Sequence, residues 1–380
     1  MRIAFYAPWV YPWMVDLSDS FKREDHEVTL YATGIFGNYP DWEKLETYCH
    51  RIPSIRFMGE IIPHPGIFPK LFLAKPDFLI ISNTEGIPSL LMYAAARLRG
   101  IPTLLMAEKN KDTRHMLPKH LRVLSSLKRV PVKLVHKNAG ALLAESEAAR
   151  DYLMQMGCDA GKICVLMHGV DTERFRPTAK SLDFARRMGI SEADLQAIVV
   201  LYLGGFNSHK GFDYLANALL TETGNHLGDN IFIMPKYGSL VREYEAGLEG
   251  LGNVRLIPQA SPAEMPDLYS LADIVVHPPV VTATSSPASE NVLLEAMACG
   301  KAIVATDVGG NPDIVADCGI LVPERDGTAL ARAIAQLTSD SHLRDRCAKM
   351  ARQRAEQTLS MQKYAAGLLD LQGIVDTRRK

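Results

Sequence analysis

Glu295 is the one ionisable side chain in an otherwise apolar helical stretch, Asn291–Ala298 (NVLLEAMA). Leu293, Leu294, Met297 and Ala298 form a stripe at helical spacing, so the carboxylate sits among core residues near a helix start. A carboxylate in that setting is costly unless something bonds it. The hydroxyls of a ribose are one such partner, as the acidic residue of dinucleotide folds illustrates. A second constellation is Leu201–Gly211 (LYLGGFNSHKG). There Gly204 and Gly205 permit close approach to the backbone, Lys210 supplies a cation, and Gly211 opens the next helix. Backbone amides, a helix N-terminus and a cation are what a phosphate group needs. A solvated surface lysine is the plainer reading of Lys210.

Both constellations depend on elements that the sequence punctuates clearly. Gly300 ends the helix that carries Glu295, at a left-handed position. Ala302–Ala305 follows as a short buried strand, and Gly309-Gly310 turns the chain. The same alternation runs throughout. Six apolar runs lie between Ile3–Tyr6 and Ile163–Met167, and six more between Ile198–Leu203 and Ile320–Val322. Amphipathic stretches such as Pro88–Leu98, Glu147–Met156, Phe212–Leu220 and Thr328–Leu337 separate them. This pattern predicts α/β architecture with parallel sheets covered on both faces. Twelve strands exceed an ordinary single sheet, so two Rossmann-like domains are expected.

Composition narrows the classes further. A hydrophobic content of 47% and a charged content of 22% suit a soluble globular chain. A formal net charge of -1 gives no reason to expect nucleic acid as a partner. No apolar run approaches the roughly 18–20 residues of a membrane span, and the N-terminus reads as a first strand rather than a signal peptide. Six scattered cysteines without CxxC spacing argue against a metal or disulfide framework and fit a reducing cytoplasm.

The segment LLEAMACGKAIVATDVGG resembles the C-terminal donor-site signature of retaining family-4 glycosyltransferases of the GT-B fold. His168–Pro177 (HGVDTERFRP) is similar to the interdomain signature nGVDxxxFxP of that family. The resemblance implies two Rossmann-like domains facing across a cleft. An acceptor-side domain would span 1–177 and a donor-binding domain 178–360, with a last helix at about 361–380 packing back on the first. It implies transfer of a sugar, a hexose for preference, from a UDP- or GDP-linked donor to a sugar, glycan or lipid-linked acceptor. Anomeric configuration would be retained, no metal or cofactor would be needed, and the setting would be glycan, glycolipid or cell-envelope polysaccharide synthesis. Lys210 and helix N-terminal amides would stabilise the leaving diphosphate. Glu295 would bond the ribose, the amides of Asn291, Val292 and Leu293 would face the diphosphate, and Ile257 would touch the base.

Several positions depart from the family pattern. Gly205 stands where an arginine is usual, and Pro287 stands where the first acid of ExxxxxxxE belongs. Glu290 either substitutes for that acid or is a helix N-terminal carboxylate favoured by the macrodipole. Glu108 takes the place of a histidine that bonds the transferred sugar; it either serves the site or is a loop acid beside Lys109 and Lys111. His277 reads as a strand-end structural histidine rather than a catalytic one. In place of a Gly-Gly loop, Ala7–Met14 (APWVYPWM) offers Trp9, Tyr11 and Trp13. These rings either form an acceptor platform or cap the domain interface. Residues 114–137 hold seven Lys or Arg and no Asp or Glu, interleaved with aliphatics. That stretch either rests on an anionic membrane surface, with the protein peripheral on the inner face, or is a solvated helix face over a core. Two other functions stay open: a nucleotide-sugar epimerase, and a non-catalytic nucleotide-sugar-binding partner subunit.

Overall fold

A computed structural model describes residues 1–35, 49–51, 54–57, 60–63, 74–82, 87–107, 130–220, 227–283 and 290–377. Glu108, Pro287, residues 114–129 of the basic stretch and the terminal 378–380 lie outside the described residues. The chain divides into two units. The first comprises Met1–Gly169 with Met361–Lys380, and the second Val170–Ser360.

The first unit is built on a parallel sheet of seven strands: β1 (Arg2–Val10), β2 (Glu27–Ile35), β3 (Cys49–Arg51), β6 (Phe78–Ile81), β7 (Thr103–Ala107), β8 (Ala141–Ala144) and β9 (Ile163–Val165). Their order is β3-β2-β1-β6-β7-β8-β9. A small antiparallel pair, β4 (Ser54–Phe57) and β5 (Glu60–Pro63), is inserted between β3 and β6. All residues of β6, β7 and β8 are buried, as expected of strands covered on both faces. One face is covered by the Pro12–Arg23 helix through Trp13, Met14, Leu17 and Phe21, and by the terminal Met361–Thr377 helix through Tyr364, Ala365, Leu368 and Leu371. The Ile87–Leu98 and Glu147–Gln155 helices cover the other.

The second unit holds six parallel strands: β10 (Val199–Tyr202), β11 (Ile231–Pro235), β12 (Val254–Ile257), β13 (Ile274–His277), β14 (Ala302–Thr306) and β15 (Ile320–Val322). They lie in the order β12-β11-β10-β13-β14-β15. This is the doubly wound order, and its direction reverses between β10 and β13. In open sheets of this kind the crevice at such a reversal, outside the strand C-termini, is where ligands bind.

Two expectations change. Ala7–Met14 is not a loop. The ladder between β1 and β2 continues to Trp9↔Gly34 and Val10↔Ile35, and Pro12 starts a helix directly after Tyr11. Proline at the first helical position suits that abrupt start, since its missing N–H would be unpaired there anyway. Trp13 is consequently a core residue, 7% exposed, tilted against the His168 ring with centroids 4.1 Å apart and set edge-on to Tyr364. His168 in turn pairs with the buried Glu145. Tyr11 is half-buried against the same cluster, and the Trp9 side chain lies outside the described residues. Trp13 therefore belongs to the core of the first unit rather than to an open platform.

The second change is the division of the chain, which falls at Gly169–Val170 rather than at Pro177. Val170 is bridged to Ser360, and its amide donates to the Leu359 carbonyl. Arg352 then donates to the carbonyls of Thr172, Phe175 and Ala298, which fastens residues 170–175 to the second unit.

The terminal helix is long in sequence from the sheet it covers, so its hold rests on side-chain burial. Leu368 is fully buried in the first unit. A Leu368→Ala variant is expected to lose about 2–5 kcal/mol of stability. Urea denaturation followed by circular dichroism would measure it, and a loss below about 1 kcal/mol would contradict this packing.

Candidate functional site

The site is assembled where the second sheet reverses. β10 ends at Tyr202, and the chain passes through Leu203–Asn207 into a single turn at Ser208–Lys210 before the Phe212–Leu220 helix. β13 ends at His277, and after its loop the Asn291–Ala298 helix begins with Glu290 at the N-cap. Two backbone contacts lock these loops together. The Val280 amide donates to the His209 carbonyl at 3.1 Å, and Gly211 lies flat against Pro278. A Cβ on Gly211 would sit 1.7 Å from the Pro278 carbonyl oxygen, and its φ of +69° favours glycine in any case.

Lys210 Nζ lies 3.0 Å from Glu290 Oε2, although the two residues are 80 apart in sequence. His277 Nε2 approaches the same oxygen at 3.4 Å, an ion-pair distance rather than a formed hydrogen bond. Glu290 is 14% exposed and His277 1%. Burial alone would raise the Glu290 carboxyl, but Lys210 and His277 outweigh it and hold it down at about 2. Burial pushes His277 below its ordinary 6.5, against the upward pull of Glu290, so the imidazole is neutral at neutral pH. Glu290 makes no side-chain cap to its own helix; its carboxylate is turned to Lys210 instead. His277 ends a strand, as expected, and it also faces the charge pair.

The glycines have a structural reason. Tyr202, buried at the end of β10, donates its hydroxyl to the Gly205 carbonyl at 2.7 Å. A Cβ on Gly204 would lie 2.4 Å from that hydroxyl oxygen. A Cβ on Gly205, whose φ is +65°, would lie 2.6 Å from the Tyr237 ring. The room left by both glycines is thus filled by tyrosines of the chain itself. The Gly205 departure follows: an arginine there would collide with Tyr237, whose hydroxyl donates to the Leu203 carbonyl at 3.3 Å.

Glu295 accepts a hydrogen bond of 2.9 Å from the hydroxyl of the buried Tyr269. That hydroxyl also approaches the Val292 carbonyl at 3.2 Å, so one buried tyrosine sets both the first helical turn and the carboxylate. Burial and the Glu295 charge raise the Tyr269 phenol well above its ordinary value. Asn291 and Val292 are the first helical residues, whose amides have no intrahelical acceptor. The Leu293 amide is already given to the Glu290 carbonyl at 3.0 Å. Ile257 is buried, and its carbonyl accepts the Lys236 amide at 2.8 Å. Lys210, Glu290, Asn291, Val292 and Glu295 therefore share one end of the second sheet, around the head of one helix. Tyr269, Tyr237 and the contact of His277 with Glu290 were not evident from sequence spacing. Among the described residues, no group of His, Cys, Asp or Glu could hold a metal ion.

A family model for group 1 glycosyl transferases matches residues 197–340, and one for glycosyltransferase family 4 matches residues 13–174. The chain belongs to the group 1, family 4 glycosyltransferases. Within that family it is 31% identical over 254 residues to a D-inositol 3-phosphate glycosyltransferase of Salinispora arenicola, covering 62% of this chain and 55% of that one. The chain spans about half the length of the curated relatives it matches. In fold it matches a glycosyltransferase from Rickettsia africae with a TM-score of 0.76, at 16% identity over 98% of each chain. It matches the Anabaena protein HepE, solved with UDP-glucose, with a TM-score of 0.73 at 18% identity, over 98% of this chain and 99% of that one. Its fold is that of GT-B glycosyltransferases, with two doubly wound parallel sheets.

The charge pair leads to two expected outcomes. Lys210→Met strands the Glu290 carboxylate and should cost about 1–3 kcal/mol in urea denaturation, whereas Lys210→Met with Glu290→Gln should recover most of it. Equal losses in the single and double variants would contradict the pairing. Glu290 and His277 both bind fewer protons folded than unfolded, so stability should rise with pH. The His277 contribution is complete above 6.5 and lost as pH falls below it; that of Glu290 is complete above 4.5 and lost as pH falls toward about 2. Melting curves below about pH 4.5 should show less acid sensitivity in Glu290→Gln than in the parent.

Proposed function

We propose that this chain is a retaining glycosyltransferase that takes a sugar from a UDP-linked donor and passes it to a sugar, glycan or lipid-linked acceptor. The observation that carries this reading is the convergence of Lys210, the first-turn amides of Asn291–Ala298, and Glu295 at the reversal of the second sheet. A cation beside open helix amides suits a diphosphate, whose negative charge grows as the sugar leaves. Glu295, held by Tyr269, would accept from the ribose hydroxyls. The choice of UDP draws on HepE, which was solved with UDP-glucose. The charge of the diphosphate is met by the chain's own groups without a metal, with Glu290 as the buried partner of Lys210.

The acceptor would be held by the first unit, with Glu108 as its candidate contact. The protein would also rest on the inner face of a membrane at its periphery. The 130–138 helix buries Val132 and exposes Lys133, Leu134 and Lys137, the kind of mixed face that meets anionic lipid. Among the described residues, no helix is long and apolar enough to cross a membrane.

Thermal shift of the purified chain against UDP, GDP and ADP tests the donor reading. UDP at about a hundredfold over its Kd should add about 2.7 kcal/mol, roughly 5–10 °C in a domain of this size. Lys210→Ala and Glu295→Ala should each weaken UDP about 10- to 100-fold. No shift with any nucleotide would contradict the transferase reading and favour a non-catalytic partner role.

A further inference from the structure

We propose that Glu290 is an internal counter-anion for Lys210 in the resting site, that the donor diphosphate takes Lys210 from it, and that His277 then takes up one proton to keep Glu290 paired. The inference rests on the donor reading above and adds a positioning role for His277 and a proton that travels with the nucleotide.

The geometry points to this exchange. Lys210 Nζ and His277 Nε2 converge on a single oxygen, Glu290 Oε2, at 3.0 and 3.4 Å. A lysine already paired with a carboxylate cannot bond a phosphate oxygen at full strength, so an incoming diphosphate must compete with Glu290 for it. The loops after β10 and β13 are joined through their backbones. Gly211 is pressed on Pro278, and Val280 is bonded to His209. The exchange is therefore a rotation of the Lys210 side chain, which is half-buried and flexible, over a scaffold that stays in place.

Once Lys210 has turned to the diphosphate, Glu290 keeps its negative charge in a site that is nearly out of water. Among the described residues, its remaining ion-pair neighbour on that oxygen is His277. In the resting site Lys210 opposes a charge on His277 while Glu290 favours one. Pairing Lys210 with an anion removes the opposing charge and leaves the favouring one. The other ionisable groups around the cluster are His209, beside Lys210 and within reach of the Glu290 charge, and Tyr202, which senses Glu290 and Asp213. Burial and Lys210 keep His209 below its ordinary value, and burial keeps the Tyr202 phenol well above its own. Neither is set to take the proton in place of His277. The balance is simple: one proton passes from a buffer acid to the imidazole when the donor binds, and it returns to the buffer when the nucleotide leaves.

Isothermal titration of the full chain with UDP-glucose, in two buffers of different ionisation heat near pH 7, reads this proton directly. A diphosphate diester carries no group of its own that titrates there, so any proton exchanged belongs to the protein. The expected result is uptake of up to one proton per UDP-glucose bound, with affinity falling as pH rises, by up to about tenfold per unit. His277→Gln should still bind UDP-glucose but without proton uptake. Glu290→Gln should also lose the uptake and should bind UDP-glucose more tightly, because nothing then competes for Lys210. This second variant keeps the test decisive if His277→Gln fails to fold. Binding with the same heat in both buffers, or uptake that persists in either variant, overturns the inference and leaves the donor reading standing. If UDP-glucose, UDP-N-acetylglucosamine and GDP-mannose all fail to bind, the donor reading falls and this inference falls with it.

Discussion

A carboxylate taken most of the way out of water has to be paired, and Glu290 meets that requirement by drawing three separate segments to one point. Lys210 comes from the loop after β10, His277 from the end of β13, and Glu290 itself from the head of the Asn291–Ala298 helix. They can meet because the strand order of the second unit puts β10 beside β13. The doubly wound topology opens a crevice there, and the ion pair determines which charges line it. A helix head with unpaired amides would draw an anion in any case. Glu290 moderates that pull at rest by standing as an anion of the chain's own beside the cation.

Around this pair the scaffold is stiff. Tyr202 and Tyr237 fill the space over Gly204 and Gly205, Gly211 lies against Pro278, and Tyr269 fixes Glu295 together with the first turn of its helix. Rings and backbone that cannot shift leave the long side chain of Lys210 as the adaptable part. Such a division of labour suits a site that must recognise charge without rebuilding itself at each turnover, because little ordering cost then falls on binding.

Much of this was legible in the sequence and some was not. The Asn291–Ala298 helix, its end at Gly300 with φ +64°, and the strand that follows were all readable, because apolar periodicity and a left-handed glycine are local signals. Each of the twelve strand candidates corresponds to a strand, although β1 and β2 run longer and β9 and β10 shorter than expected. The same local reading failed at Ala7–Met14, where pairing with β2 carries the strand to Val10 and a helix starts at Pro12. Partnerships across long separations left no trace in spacing. Nothing near Gly205 announces Tyr237, and nothing near Lys210 announces Glu290, 80 residues away. The division at Gly169–Val170 was hidden for the same reason, since it is decided by Arg352 and Ser360 late in the chain. The likeness of His168–Pro177 to an interdomain segment marked the region but not the bond at which the units part.

A crystal structure of the chain with UDP bound would test the central claim most directly. The account predicts the diphosphate at the head of the Asn291–Ala298 helix, with Lys210 Nζ turned onto a phosphate oxygen, Glu295 on the ribose, and Glu290 left against His277. A nucleotide bound elsewhere, or one bound there while Lys210 still holds Glu290 at hydrogen-bond distance, would contradict it.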